Sequence, residues 1–120
     1  MTIKDVIKRV ENRHPGFDAA LEDHISRLNI LEKDIYTNII SAHEGHGEFV
    51  PHSNEEDELL VPDMYADIYS FYLLAQIDLA NAEISGYTNN MILYNNLMGE
   101  YSRYYTRNHM PKQKGRIRYS

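Results

Sequence analysis

The sequence is defined first by what it lacks. It has no cysteine, so disulfides and thiolate metal sites are excluded. It has no tryptophan and three phenylalanines against ten tyrosines. Its aromatic surface is therefore mostly amphipathic, an apolar ring with a polar tip. No apolar run approaches the ~20 residues a membrane-spanning helix needs. The opening stretch MTIKDVIKRVENR is charged throughout and holds no apolar block of the signal-peptide kind. Synthesis in a cytoplasm is the expectation, with no membrane partner. G-x-S-x-G, Walker and GxGxxG patterns are missing, and no cysteine can pair with a histidine. The chain is not read as an enzyme, and no cofactor is called for.

What is present fits one domain of 120 residues, 42% of them hydrophobic. The net charge of −6 hides an asymmetry. Residues 1–102 carry all 18 acidic groups, whereas residues 103–120 carry none and hold six of the 12 basic ones. The two parts of the chain present opposite fields.

Four helices are expected. In the first, from Thr2 to about Arg13, Ile3, Val6, Ile7 and Val10 recur at helical spacing, and Thr2 with Asp5 has the form of a capping box. His14-Pro15-Gly16 ends it. The second runs from a cap at Asp18 to about Ala42, with Leu21, Ile25, Leu28, Ile35 and Ile39 on one stripe and Glu32 among them. Residues 43–62 break the period with two glycines, two prolines, three histidines and six acids. They read as a long acidic loop, anchored through Phe49-Val50 and Leu59-Leu60-Val61. The third helix follows Pro62 with Asp63 as its cap. It is apolar nearly all round, which marks it as central. Its Tyr65, Ile68, Tyr69, Tyr72 and Leu79 share a face. Ser85-Gly86 reads as a C-cap break. The fourth helix then carries Tyr87, Met91, Tyr94, Met98, Tyr101 and Tyr105 as a seam with alternating steps of four and three. So short a link allows a hairpin or a kinked rod, and the hairpin is the expectation. The fold class is all-α: a bundle of about four helices with an antiparallel hairpin (63–84 / 87–107), the acidic loop 43–62 and a basic C-terminal arm. The domain is placed at 1–107 and the arm at 108–120.

Few residues suggest chemistry. His43, His46 and His52 are the only cluster resembling a metal site. Their HEGH order is not the HExxH that places two ligands one helical turn apart, and the flanking glycines oppose a helix. A solvated loop without metal is expected. Glu32 and Gln76 stand on apolar stripes, where a hydrogen-bonded core or interface group is the ordinary explanation. The arm, through Arg107, Lys112, Lys114, Arg116, Arg118 and Tyr119, could reach an acidic protein partner, could by charge alone reach a DNA backbone, or could be a plain solvated terminus. Nothing accompanies it that would read bases.

One resemblance covers most of the chain outside the acidic loop. The stretch LLVPDMYADIYSFYLLAQIDLANAEISGYTNNMILYNNLMGEYSRYYTRNHMP is similar to the C-terminal half of head–tail connector (adaptor, head-completion) proteins of tailed phages and prophages of Gram-positive bacteria. It does so through Pro62, Tyr65, Tyr69, Ala75-Gln76-Ile77-Asp78, Asn81 with Glu83, Tyr87 with Asn89-Asn90, Tyr94-Asn95, and Tyr101 through Arg107. Pro15 before Phe17, and the run Leu28-Asn29-x-Leu31-Glu32, resemble the family's first long helix. The departure is Arg27, where the family often has an aromatic residue.

The resemblance implies a structural protein of the virion neck, made in the host cytoplasm. It would be a homo-oligomer, commonly twelve copies in a ring beneath the portal protein. The ring would extend the DNA channel without sequence-specific contact and offer a platform for a stopper or tail-completion protein. The other reading left open is a small helical phage protein with a regulatory or nucleic-acid-associated role.

Overall fold

The computed structural model describes residues 1–14, 21–45 and 47–109. Among them the protein is an all-α bundle of four helices without a strand. They are α1 (Ile3–Arg13), α2 (Leu21–Ile35), α3 (Asp67–Ala80) and α4 (Ile84–Asn108). The molecule is elongated, 58 × 31 × 21 Å.

The Thr2–Asp5 capping box forms as the sequence indicates. The Asp5 amide donates to Thr2 Oγ1 at 3.2 Å and the Thr2 amide to Asp5 Oδ2 at 3.1 Å. Ile3, Val6 and Val10 are fully buried. The cap Asp18 assigned to α2, together with Pro15 and Phe17, lies outside the described residues. Leu28, Leu31 and Ile35 of α2 enter the core, whereas Leu21 at its start is exposed. After Ile35 the chain makes a π-helical turn, Tyr36–Ile40, closed by the Ser41 amide donating to the Tyr36 carbonyl at 2.7 Å. The added residue shifts the helical phase, so consecutive Ile39 and Ile40 are both buried.

Helix α3 is central, packing against α1, α2 and α4. Asp63 does not cap it. Asp63–Tyr65 forms a separate 3-10 turn, and the Asp63 carboxylate instead takes the Met1 ammonium at 2.7 Å. Helices α3 and α4 form an antiparallel hairpin. Asp78 meets Asn90, Tyr72 meets Tyr94 and Tyr65 meets Tyr101, so one helix runs up as the other runs down.

The break lies earlier than Ser85-Gly86. The Glu83 amide donates to the Asp78 carbonyl at 2.8 Å, and Ala82 takes the left-handed conformation at φ 58. This closes the C-terminus of α3 as a glycine usually does. Gly86 lies inside α4, in its first turn, for a different reason. A Cβ there would meet Asp78 Oδ2 at 2.6 Å, so its missing side chain permits the close crossing of the two helices. The seam on α4 divides in consequence. Tyr101 and Tyr105 are buried, Tyr94 and Met98 pack half-buried against the core, and Tyr87 and Met91 lie beyond it. Leu79, expected on the inner face of α3, is exposed near the hairpin tip.

Candidate functional site

The acidic loop is held by one buried carboxylate. Residues 47–62 pass over α2 and return along the start of α1. Within them a compact turn forms where the Ser53 and Asn54 amides both donate to Asp57 Oδ2, at 3.0 and 3.2 Å. Asn54 Oδ1 accepts from the Glu56 amide at 2.8 Å. Such side-chain-to-backbone bonds shape a turn without helix or strand. The turn delivers its carbonyls to the open N-terminus of α1. The Ile3 amide donates to the Asp57 carbonyl at 3.1 Å and the Lys4 amide to the Glu55 carbonyl at 2.8 Å. These bonds satisfy two of the helix's orphan donors.

Beneath the loop, α2 presents Asn29 and Glu32, three residues apart and therefore neighbours on one face. Asn29 brackets His52 through its backbone. Its Nδ2 donates to the His52 carbonyl at 2.9 Å and its Oδ1 accepts from the His52 amide at 2.8 Å. Glu32 is 0% exposed. Its Oε1 is 2.7 Å from His52 Nε2 and accepts from the Leu60 amide at 3.0 Å. Its Oε2 accepts from the Tyr69 hydroxyl at 2.5 Å, and the same hydroxyl accepts from the Val61 amide at 2.9 Å. Burial, then the charge of Glu32, pushes the Tyr69 hydroxyl far above the ordinary phenol range. Tyr69 therefore stays a proton donor. A carboxylate enclosed by this set joins α2, α3 and the loop.

The hydrophobic anchors act unequally. Leu59 and Val61 are buried and Phe49 packs on Tyr36 at 5.9 Å, but Val50 and Leu60 point outward. Outside, the loop and the chain after it form a carboxylate ridge partly neutralised by its neighbours. Lys4 pairs with Glu56 at 3.6 Å, Arg9 with Asp67 at 2.7 Å, and the Met1 ammonium with Asp63. The hydrogen bond that the ammonium donates to Asp63 is the main cause holding it above its ordinary pKa.

The two described histidines of the loop do not converge. His43 is buried, against the expectation of a solvated loop. Its Nδ1 is 2.6 Å from the Ile39 carbonyl, its Nε2 is 3.3 Å from Thr106 Oγ1, and its ring meets Tyr105 edge-on. The π-helical turn carries it into the body. His52 serves Glu32, and His46 lies outside the described residues. Among the described residues no three His, Cys, Asp or Glu side chains gather as a metal site. Of the predicted arm, Arg107 is exposed on the last turn of α4 beside Arg103. Lys112, Lys114, Arg116, Arg118 and Tyr119 lie outside the described residues. Gln76 is half-buried on α3.

Sequence reasoning singled out Glu32 but not its partners. His52, Leu60 and Tyr69 lie 20, 28 and 37 residues beyond Glu32 in the chain, and only the polar interruption of an apolar stripe signalled the site. No protein-family model, no curated protein and no solved structure matches this chain.

Proposed function

We propose that this protein is a non-enzymatic structural component of a tailed-phage particle, a head–tail connector that assembles as a ring beneath the portal and carries the stopper or tail. The observation that carries this reading is where the resembling residues fall. The run Leu28-Asn29-x-Leu31-Glu32 supplies the clamp on the loop. The stretch from Pro62 to Arg107 supplies the central helix and the tyrosine-lined hairpin. The residues that resemble those of connectors thus lie in an elongated rod with a held loop, parts suited to assembly. The acidic body, with its exposed carboxylates, would repel the DNA backbone and let it slide. The basic arm would supply a contact to an acidic neighbour. Localisation at the virion neck follows from this role.

The test is disruption of the gene in the phage or prophage that encodes the chain, followed by electron microscopy. DNA-filled heads without tails are expected. Normal tailed particles would refute the reading. A second reading, a small nucleic-acid-associated phage protein, draws on the exposed Arg103 and Arg107 at the basic end of the chain. It predicts intact particles together with salt-sensitive DNA binding by the purified protein.

A further inference from the structure

Helix α4 has a second face that nothing in the described protein covers. Opposite the seam, Asn89, Ile92, Leu93 and Asn96 follow the i, i+3, i+4, i+7 spacing of one helix side. All four are exposed, Ile92 by 53% and Leu93 by 46%. Ile84 and Leu79 are exposed nearby. Other exposed large side chains make no adjacent pair on one helix side: Leu21 and Ile30 stand well apart and on opposite sides of α2, and Val50 and Leu60 are far apart in the loop. Charge is also scarce around this face. From residue 79 to 99 the only charged side chain is Glu83, in a chain that is 25% charged. Depletion of charge around exposed apolar side chains is a mark of an interface core.

The occupant follows from charge and register. Two copies that each carry −6 repel through most of their surfaces and can approach most closely through an uncharged one. We infer that α4 pairs antiparallel with α4 of a second copy, across a two-fold axis between Ile92 and Leu93. The apolar pair then packs on its own symmetry mate, as an isologous contact requires. Asn89 comes opposite Asn96 of the copy, two amides able to exchange hydrogen bonds. Glu100 comes opposite Ser85, beside an α4 N-terminus that has no side-chain cap. An anion there complements the open N–H groups and the helix dipole. Glu83 comes near Arg103 of the copy. The face is therefore complementary to itself in apolar surface, hydrogen bonding and charge. This pairing goes beyond the connector reading and does not rest on it: a protein that never entered a virion would pair in the same way.

The test uses the full chain in solution. Sedimentation equilibrium over a wide concentration range should show a monomer–dimer equilibrium. The double variant Ile92→Glu, Leu93→Glu, whose sites are exposed, should stay monomeric with an unchanged circular dichroism spectrum. Arg103→Glu should weaken pairing about five- to thirtyfold through its two symmetric contacts, and adding Glu83→Arg should restore it. Because the chain has no cysteine, Leu93→Cys should cross-link two copies under mild oxidation much faster than Ile30→Cys. A parent that is monomeric at every concentration, a double variant that associates like the parent, or equal cross-linking by both cysteines would each overturn the inference.

Discussion

Replacing Tyr69 with phenylalanine removes one oxygen and keeps the ring, so it isolates the polar junction from the packing. In the parent that oxygen donates to Glu32 Oε2 and accepts from the Val61 amide. A hydrogen bond to a charged group contributes about 1.5–3 kcal/mol, and a buried donor left without a partner costs about 1–3 kcal/mol. Val61 is 1% exposed, so water reaches its amide only if the loop moves. The two effects overlap, and the expected loss is about 3–5 kcal/mol. Against a typical domain stability of about 5–15 kcal/mol, that is a large fraction. For a chain of this length it lowers the melting temperature by roughly 10–20 °C. Urea unfolding followed by circular dichroism measures it, with Tyr104→Phe on half-buried Tyr104 as the control, expected within about 0.5 kcal/mol of the parent. A Tyr69→Phe midpoint indistinguishable from the control's would refute the reasoning and show that Glu32 is not a junction.

Three further outcomes are expected. Ala82→Gly should stabilise the protein by about 0.5–1 kcal/mol in thermal unfolding, because a left-handed φ costs alanine more than glycine. Tyr101→Ala should cost about 3–5 kcal/mol as a large-to-small core change, whereas Tyr87→Ala, beyond the core, should cost under about 1 kcal/mol; equal losses would contradict the divided seam. Burial, then Arg27, lowers the His24 pKa below its ordinary 6.5. The unfolded chain therefore binds the proton more readily, and stability is lost as pH falls from 6.5 towards the folded value; His24→Gln should flatten unfolding free energy against pH across that window.

The features legible in the sequence were those with a local cause. The capping box at Thr2 and Asp5 spans four consecutive residues and forms as read. The helix that is apolar on all sides is the central one because several neighbours must cover it. The hairpin follows from two helices joined by a short break. The misplaced features depend on distant contacts or on competing local signals. Gly86 drew the break to itself because glycine ordinarily ends helices, yet its role is the close approach to Asp78, while a strained Ala82 makes the turn. The π-helical turn after Ile35 arises from burying Ile39, Ile40 and His43 together, and no hydrophobic period announces it. The long loop read as anchored by apolar residues, and Leu59 and Val61 are buried. It is also held because Glu32 finds the ring of His52 and the amide of Leu60, 20 and 28 residues further along the chain.

The central claim concerns where the protein ends up. The most direct measurement is quantitative mass spectrometry of tailed particles purified from the host that encodes the chain, with the portal protein as internal reference. The account predicts that this protein is a stoichiometric component, present in ring-like copy number comparable to the portal's and retained through high-salt washing. Its absence from particles that contain portal, capsid and tail proteins would contradict the account.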